Sequence, residues 1–385
     1  MTTPWNHRYA QRMHNVGAST IRELLKLTQN PEIISFAGGL PAPDVFPVDA
    51  FRAASDRVLQ NKGSQALQYS TTEGYGPLRE WIIERMASYG IHATPQNVMI
   101  TSGSQQALDV IGKILINPGD LILTERPTYL GALQAWRAYQ AEFVTVPIDE
   151  NGLRVDLLEE ALCAGPKFMY ILPNFQNPGG VTLSAERRRE VIAIADHYGV
   201  PIIEDDPYGE LRYEGDHLSP LVVLDCKQLN EHNDCFDQGN VIYLSTFSKT
   251  LAPGLRLAWI VAPTEVIQHC AIAKQGMDLH TSSFIQMVAH EVLTGSEEGE
   301  AFMQNHVRRI RQVYGERRDA MLTAMEQYFP KGSVGHVQTV ASSFGSPCQN
   351  TWTRQHFSLL PWRTMSLLCR ETASILTGPA TTRFV

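Results

Sequence analysis

The segment Ser245-Thr246-Phe247-Ser248-Lys249 sets a single lysine among hydroxyl side chains at the end of an apolar run, and Arg256 follows in Ala252-Pro253-Gly254-Leu255-Arg256. A lysine amine whose charged form is disfavoured by its surroundings becomes a nucleophile able to form a Schiff base with a carbonyl. The hydroxyls and the guanidinium beside it carry the donors that hold a phosphate. The same string also suits a surface lysine near a turn, so its meaning depends on three other segments. Ile203-Glu204-Asp205-Asp206-Pro207-Tyr208 places carboxylates directly after an apolar run. In an open α/β sheet ligands gather at the carboxyl ends of strands, and an acid there can keep a pyridine nitrogen protonated; a helix cap has the same composition. Thr101-Ser102-Gly103-Ser104-Gln105-Gln106-Ala107 reads as a strand-to-helix turn, where free backbone N–H groups and small hydroxyls make an anion site. Pro173-Asn174-Phe175-Gln176-Asn177-Pro178-Gly179-Gly180 can present two amides to a ligand or serve as a plain turn.

The elements that must carry these segments are short apolar runs separated by helical patterns. Val98–Thr101, Leu121–Thr124, Phe143–Val146, Phe168–Leu172, Pro201–Glu204, Val241–Ser245 and Ala258–Ala262 read as strands, with helices over Gln106–Leu115 and Ala185–Tyr198 among the connections. Strands apolar on both faces and separated by helices predict a mostly parallel sheet covered on both sides, hence an α/β fold. A short amphipathic helix is expected over Ser19–Thr28, followed by a Gly- and Pro-rich loop over Ser35–Pro47. A helical stretch is expected from about Thr281 to Tyr328. After about Lys331 the chain becomes rich in Ser and Thr and loses the β/α alternation.

Composition narrows the function classes. The 385 residues are 43% hydrophobic and 19% charged, which excludes wholesale disorder and collagen-like repeats. A formal net charge of -8 with no Lys/Arg run argues against a nucleic acid or an anionic membrane as partner. The six cysteines form no CxxC pair and no zinc-like spacing, so no metal site is expected and a reducing, cytoplasmic setting is the simpler reading. No apolar run approaches membrane-spanning length, and Trp5, Asn6 and His7 interrupt what a signal peptide would need.

Taken in order, these strings resemble the class I/II aminotransferases of pyridoxal-phosphate fold type I, in the aminoadipate and kynurenine aminotransferase-like subgroup. The resemblance rests on Gly38-Gly39-Leu40-Pro41, Leu67-Gln68-Tyr69-Ser70, Gly74-Tyr75-Gly76-Pro77-Leu78-Arg79, Ser102-Gly103-Ser104-Gln105-Gln106, Asn177-Pro178-Gly179-Gly180, Glu204-Asp205-Asp206-Pro207-Tyr208 and the lysine motif. It runs from about Ser19 to Tyr328. It implies a mostly parallel central sheet covered by helices, with a smaller α+β domain built from both ends of the chain. Residues 1–50 would hold the N-terminal helix and substrate loop, 51–280 the large cofactor domain, and 281–385 the rest of the small domain, atypical after about 331.

The resemblance also implies roles. Lys249 would carry pyridoxal 5'-phosphate as an aldimine and then move the proton of the substrate α-carbon. Asp205 would pair with the pyridine nitrogen, Tyr208 and Asn177 would hydrogen-bond the ring's phenolic oxygen, and Tyr129 would stack on the ring. Ser104, Gln105, Thr246, Ser248 and Arg256 would bind the phosphate, with Tyr69 reaching in from the other subunit of a homodimer. Ser19, Arg22 and Gly39, together with Asn177, would face the substrate, Arg22 suiting an acidic side chain through bidentate pairing. The implied activity transfers an amino group from an α-amino acid to a 2-oxo acid. Another pyridoxal-phosphate reaction such as β-elimination, a cofactor-binding regulatory module, and an inactive relative are the competing readings.

The family's C-terminal domain supplies an arginine, in an Asn-x-x-Arg-Leu-x-Phe-like string, for the substrate's α-carboxylate. That string is not found here; Arg383 in Thr382-Arg383-Phe384 is its nearest echo, and Arg354, Arg363 and Arg370 fit no better. Together with the change of composition after Lys331, this motivates the hypothesis that the tail is translated out of its ancestral frame. Reading the encoding DNA in its two other frames is then expected to recover a family-like C-terminus, and failure in both frames would make the tail a true divergence.

Overall fold

The computed structural model describes residues 4–15, 17, 39–229, 235–295, 299 and 301–328. The helix expected over Ser19–Thr28, with Ser19 and Arg22, and the tail after about Lys331 lie outside these residues.

Eight strands make one sheet: β1 Val98–Thr101, β2 Leu121–Arg126, β3 Glu142–Asp149, β4 Gly152–Leu153, β5 Phe168–Ile171, β6 Ile202–Asp205, β7 Val241–Thr246 and β8 Ala258–Val261. Their spatial order is β1-β8-β7-β6-β5-β2-β3-β4. The run β7-β6-β5-β2-β3 is parallel, as the sequence predicts, and its members are joined through helices on the two faces. The short strand β4 lies antiparallel to β3. Strand β8 runs antiparallel to both β7 and β1. The reason is the brevity of residues 247–257, too few for the crossover that a parallel neighbour demands. Two reversals restore direction, so β1 points the same way as β7. The carboxyl ends of β1, β7, β6, β5 and β2 therefore meet at one edge of the sheet.

Alternation along each strand divides the core in two. Val98, Ile100, Leu123, Met169, Ile171, Ile202, Val241, Tyr243 and Trp259 join one buried cluster, which includes residues of helices Val48–Ala66, Gly76–Ala87, Ala185–Tyr198 and Ser283–Thr294. Met99, Ile122, Phe168, Tyr170, Ile203, Ile242, Leu244 and Ile260 face the other way, onto helices Ser104–Leu115, Leu130–Arg137 and Thr264–Gln275. Helices Val48–Ala66 and Gly76–Ala87 are additions to the sequence reading. The first carries few regularly spaced apolar residues and departs from helical geometry at Lys62, so its position comes from packing rather than periodicity.

A third buried cluster joins Ala42, Val45, Phe175, Tyr208 and Leu211 to Ile310 and Tyr314 of the long helix Ala301–Tyr328. The Tyr314 hydroxyl accepts a hydrogen bond from the Ala42 amide at 3.1 Å. The cluster thus fastens the Gly39–Pro47 segment and the loop after β6 to the same helix.

Trp136 is the largest side chain with no exposure in this core. Its Nε1 donates to Leu108 O at 2.9 Å, and its ring meets Phe168 and Tyr170 edge-on at 5.1 Å each. Trp136→Ala removes that contact area and the indole hydrogen bond and opens a cavity, and is expected to destabilise the full chain by about 3–5 kcal/mol. Guanidinium unfolding followed by circular dichroism reads this as a lower midpoint; an unchanged midpoint would contradict the packing described.

Candidate active site

The convergent strand ends bring the sequence-selected residues together. Asp205 closes β6, Thr246 closes β7, and Lys249 stands in the single helical turn Phe247–Thr250 that follows. Thr246 Oγ1 accepts from Ser248 N at 3.0 Å, capping this turn, lies 3.0 Å from Ser248 Oγ and donates to Leu257 O at 3.0 Å. The cap fixes where the lysine leaves the sheet edge. Lys249 Nζ donates to Gly39 O at 3.3 Å and lies 5.8 Å from the Tyr208 ring centroid. Loss of solvation pulls its pKa down to about 8.

Asp205 is buried, and burial raises its carboxyl to about 7, against the lowering effect of a hydrogen bond from Tyr170. The Tyr170 hydroxyl donates to Asp205 Oδ2 at 2.7 Å. Oδ1 is equally buried and has no partner among the described residues. A carboxylate oxygen enclosed by protein and left unpaired is an acceptor awaiting a donor, and a protonated ring nitrogen is such a donor. Tyr208, also buried, bonds Asn177, and burial with the nearby Tyr129 and Asp205 raises its hydroxyl pKa strongly. Tyr129 responds in the same direction through burial first and Asp205 second, with Arg256 opposing. Gly131 follows close behind it, and a Cβ there would overlap the Tyr129 ring.

The other end of the site is a cradle. Gly103 adopts φ +85° between β1 and helix Ser104–Leu115, and a Cβ there would overlap the Arg256 guanidinium. Glycine at 103 is therefore what lets Arg256 approach the helix N-terminus. Ser104 Oγ is buried and has no partner among the described residues. A hydroxyl, first-turn N–H groups and a guanidinium are the chemistry of a phosphate site. Gln105 instead donates its amide to Gly131 O at 2.8 Å, tying the cradle to the segment that carries Tyr129. The two orphaned oxygens at Asp205 and Ser104 thus fit the nitrogen and phosphate of pyridoxal phosphate.

Tyr69 is not drawn into this cluster. It is 78% exposed and touches His280 edge-on at 5.9 Å, on the rim of a cavity of about 490 Å³. Sequence reasoning missed Tyr170, a single hydroxyl inside an apolar strand whose reach to Asp205 follows from the pairing of Tyr170 with Ile203 across β5 and β6. It also missed Glu125, which accepts from Leu172 N at 3.1 Å and Gln176 Nε2 at 3.3 Å and whose carboxyl is raised to about 8 by burial. Glu125 holds the Pro173–Gly180 loop from below. Its only sequence signal is an acid ending an apolar strand.

Unfolding returns Lys249 to water and its pKa to 10.5. Its depressed folded value therefore costs stability in full below about pH 8, and the cost fades as pH rises to 10.5. Lys249→Met in the cofactor-free protein is expected to be more stable than the parent near neutral pH, with the two converging as pH approaches 10.5. Denaturant midpoints across that window check this, and a pH-independent difference would contradict it.

Comparison with known proteins gives the family. The family model for aminotransferase class I and II matches residues 32–337, ending close to where the composition changes. An aromatic-amino-acid aminotransferase of Thermococcus litoralis is 44% identical over 341 residues, covering 86% of this chain and 77% of its own. The crystal structure of α-aminoadipate aminotransferase from Thermus thermophilus, complexed with N-(5'-phosphopyridoxyl)-L-leucine, superposes with a TM-score of 0.78 at 40% identity, covering 88% of this chain and 81% of that one. That of Pyrococcus horikoshii kynurenine aminotransferase, in complex with pyridoxamine phosphate, gives the same TM-score, identity and coverage. A half-buried lysine and a buried aspartate at one sheet edge, a turn beside them with the chemistry of a phosphate site, and relatives of this similarity across most of the chain make the protein a member of the class I and II aminotransferases, pyridoxal-phosphate-dependent enzymes of fold type I.

Proposed function

We propose that this aminotransferase works through Lys249, Asp205 and Tyr208, taking an amino group from an α-amino acid and passing it to a 2-oxo acid. The observation that carries the reading is the buried Asp205 carboxylate with one open oxygen, close enough to Tyr208 to raise its hydroxyl pKa, while Tyr208 also neighbours the Lys249 amine. Bound pyridoxal phosphate supplies a conjugated, electron-poor ring that spreads the negative charge left when the substrate Cα–H bond breaks. Asp205 keeps that ring electron-poor by holding a proton on its nitrogen, an interaction that also satisfies Oδ1. Tyr208 and Asn177 orient the phenolic oxygen.

Lys249 Nζ takes the proton from the substrate α-carbon. Loss of solvation draws its pKa down to about 8, which enlarges the neutral fraction that a general base requires. Ser104, Thr246, Ser248 and Arg256 hold the phosphate, with Gln105 bracing the cradle through Gly131 O. Tyr129 covers one ring face. Gly39, whose carbonyl meets Lys249, belongs to the segment over the substrate; Ser19 and Arg22 take a substrate-facing role by the family resemblance alone. An amino acid with a large acidic, apolar or aromatic side chain is the favoured donor, since the similar enzymes named above act on aromatic amino acids, α-aminoadipate and kynurenine.

The exposed Tyr69 beside an open cavity supports a homodimer in which it completes the neighbour's phosphate site. Cys163 and Cys270 are thiols rather than disulfides, and no described helix is long and apolar enough to cross a membrane.

The test is the visible spectrum of the full chain with added pyridoxal phosphate, before and after glutamate, aminoadipate, leucine, kynurenine and aromatic amino acids. A band absent in Lys249→Ala is expected, converting to the pyridoxamine form with one equivalent of 2-oxo acid. A band that no donor alters would leave a binding module, pyruvate with ammonia would mean β-elimination, and no band would end the cofactor assignment.

A further inference from the structure

Behind the phosphate cradle lies a group of polar side chains that the proposed reaction does not use. Lys274, on helix Thr264–Gln275, has no exposure at all. Its ammonium donates to Asp278 Oδ1 at 2.7 Å, Asp278 Oδ2 at 2.9 Å and Gln106 Oε1 at 2.8 Å. Gln106 Nε2 donates to Asp278 Oδ2 at 2.7 Å. Two of these groups, Gln106 and Asp278, meet Ser102 directly. Its backbone N–H donates to Gln106 Oε1 at 2.8 Å, and its hydroxyl donates to Asp278 Oδ2 at 3.0 Å while lying 3.2 Å from Thr281 Oγ1.

Ser102 is the residue before Gly103, so whatever fixes Ser102 fixes the turn that presents the unpartnered Ser104 hydroxyl and admits Arg256. Thr101 adds a second brace, its hydroxyl donating to Gly103 O at 3.3 Å. Resting on the assignment of the cradle to the cofactor phosphate, we propose that Lys274 and Asp278 are positioning residues that set the Ser102–Ser104 turn for a phosphate dianion, acting through Ser102 and Gln106.

The charge arrangement gives the reason for a pair rather than a lone acid. A carboxylate that anchors Ser102 from behind would by itself oppose an anion on the other side of the turn. Lys274 cancels that charge at hydrogen-bond distance, while leaving the carboxylate oxygens as acceptors for Ser102 and Gln106. Burial tends to raise the Asp278 pKa, yet the bonds from Lys274, Gln106 and Ser102 lower it overall, so the acceptor remains ionised at neutral pH. Removing the ammonium takes from Asp278 Oδ1 its one donor among the described residues and from Gln106 Oε1 and Asp278 Oδ2 one of theirs, and it leaves the carboxylate charge uncancelled directly behind the turn.

The experiment compares two ligands on the full-length protein, pyridoxal phosphate and pyridoxal, which share the ring and aldehyde and differ in the phosphate. Dissociation constants are measured from the lysine-dependent absorbance band for the parent, Lys274→Met and the double variant Lys274→Met/Asp278→Asn, with the cofactor-free melting temperature recorded for each. Lys274→Met is expected to weaken pyridoxal phosphate by about tenfold or more while leaving pyridoxal within about twofold of the parent. The double variant, which restores a neutral cluster and an acceptor at 278, is expected to recover part of the loss. Equal weakening of both ligands, or an unchanged pyridoxal-phosphate affinity in Lys274→Met, would overturn the proposal. If Lys274→Met does not fold, the same ligand comparison on the double variant decides, with selective loss of the phosphate ester supporting the proposal and no selectivity overturning it. A parent protein that shows no lysine-dependent band with either ligand would instead refute the cofactor assignment itself.

Discussion

A carboxylate held out of water with one oxygen left open, Asp205, is the constraint around which this site is organised. A buried ion is tolerated only when its surroundings replace what water supplied. Tyr170 replaces half of it from the neighbouring strand, and the remaining oxygen has no protein partner among the described residues. Burial raises the pKa of Asp205 to about 7, with the nearby Asp206 adding to the rise and the Tyr170 hydrogen bond opposing it. A ring nitrogen carrying a proton completes the pairing of the carboxylate, so the stability of the site and its affinity for the cofactor are two aspects of one interaction.

The same logic extends outward from Asp205 along the sheet edge. In the helical turn after β7, loss of solvation likewise draws the Lys249 pKa down to about 8. Glu204, one residue before Asp205 and on the opposite face, has both oxygens paired, although burial raises its carboxyl to about 7 as well. It accepts the Leu221 and Val222 amides at 2.8 and 2.9 Å and so caps the helix that begins there. Adjacent carboxylates on one strand point to opposite faces, one answering a helix terminus and the other left for a ligand. Arg188 performs a related service beneath the Pro173–Gly180 loop. Its buried guanidinium donates to Leu183 O, Ser219 O, Pro173 O and Asn174 Oδ1, giving an irregular backbone the partners that water would otherwise provide.

Direction of the strands matters as much as their content. The carboxyl ends of β1 and of the parallel strands meet at one edge because β8 reverses between β7 and β1, returning β1 to the direction of the parallel set. Without that reversal the cradle of Ser102–Ser104 would lie at the far end of the sheet from Lys249. The short turn between β7 and β8 also contains Arg256, at φ +52°, so the connection that enforces the reversal delivers the cation to the cradle.

The sequence by itself determined the α/β class, most strand positions and the identities of the groups able to do chemistry. Apolar strands bounded by turn residues, and a lysine, an acid and a glycine turn at their ends, are local patterns that survive in one dimension. Ala185–Tyr198 was legible to the residue because Ser184 caps it and Gly199, at φ +63°, ends it. Helix Val48–Ala66 was not, because its position is decided by packing against Ser283–Thr294 from the other end of the chain. Tyr170 and the Lys274–Asp278 pair escaped for the same reason: each acts on a residue distant in sequence, 35 positions away for Tyr170 and Asp205 and 168 for Lys274 and Gln106. Residue type fixes what a group can do, but burial and partnership are properties of its neighbours. Only the tertiary structure leaves one oxygen of Asp205 open and closes both oxygens of Glu204.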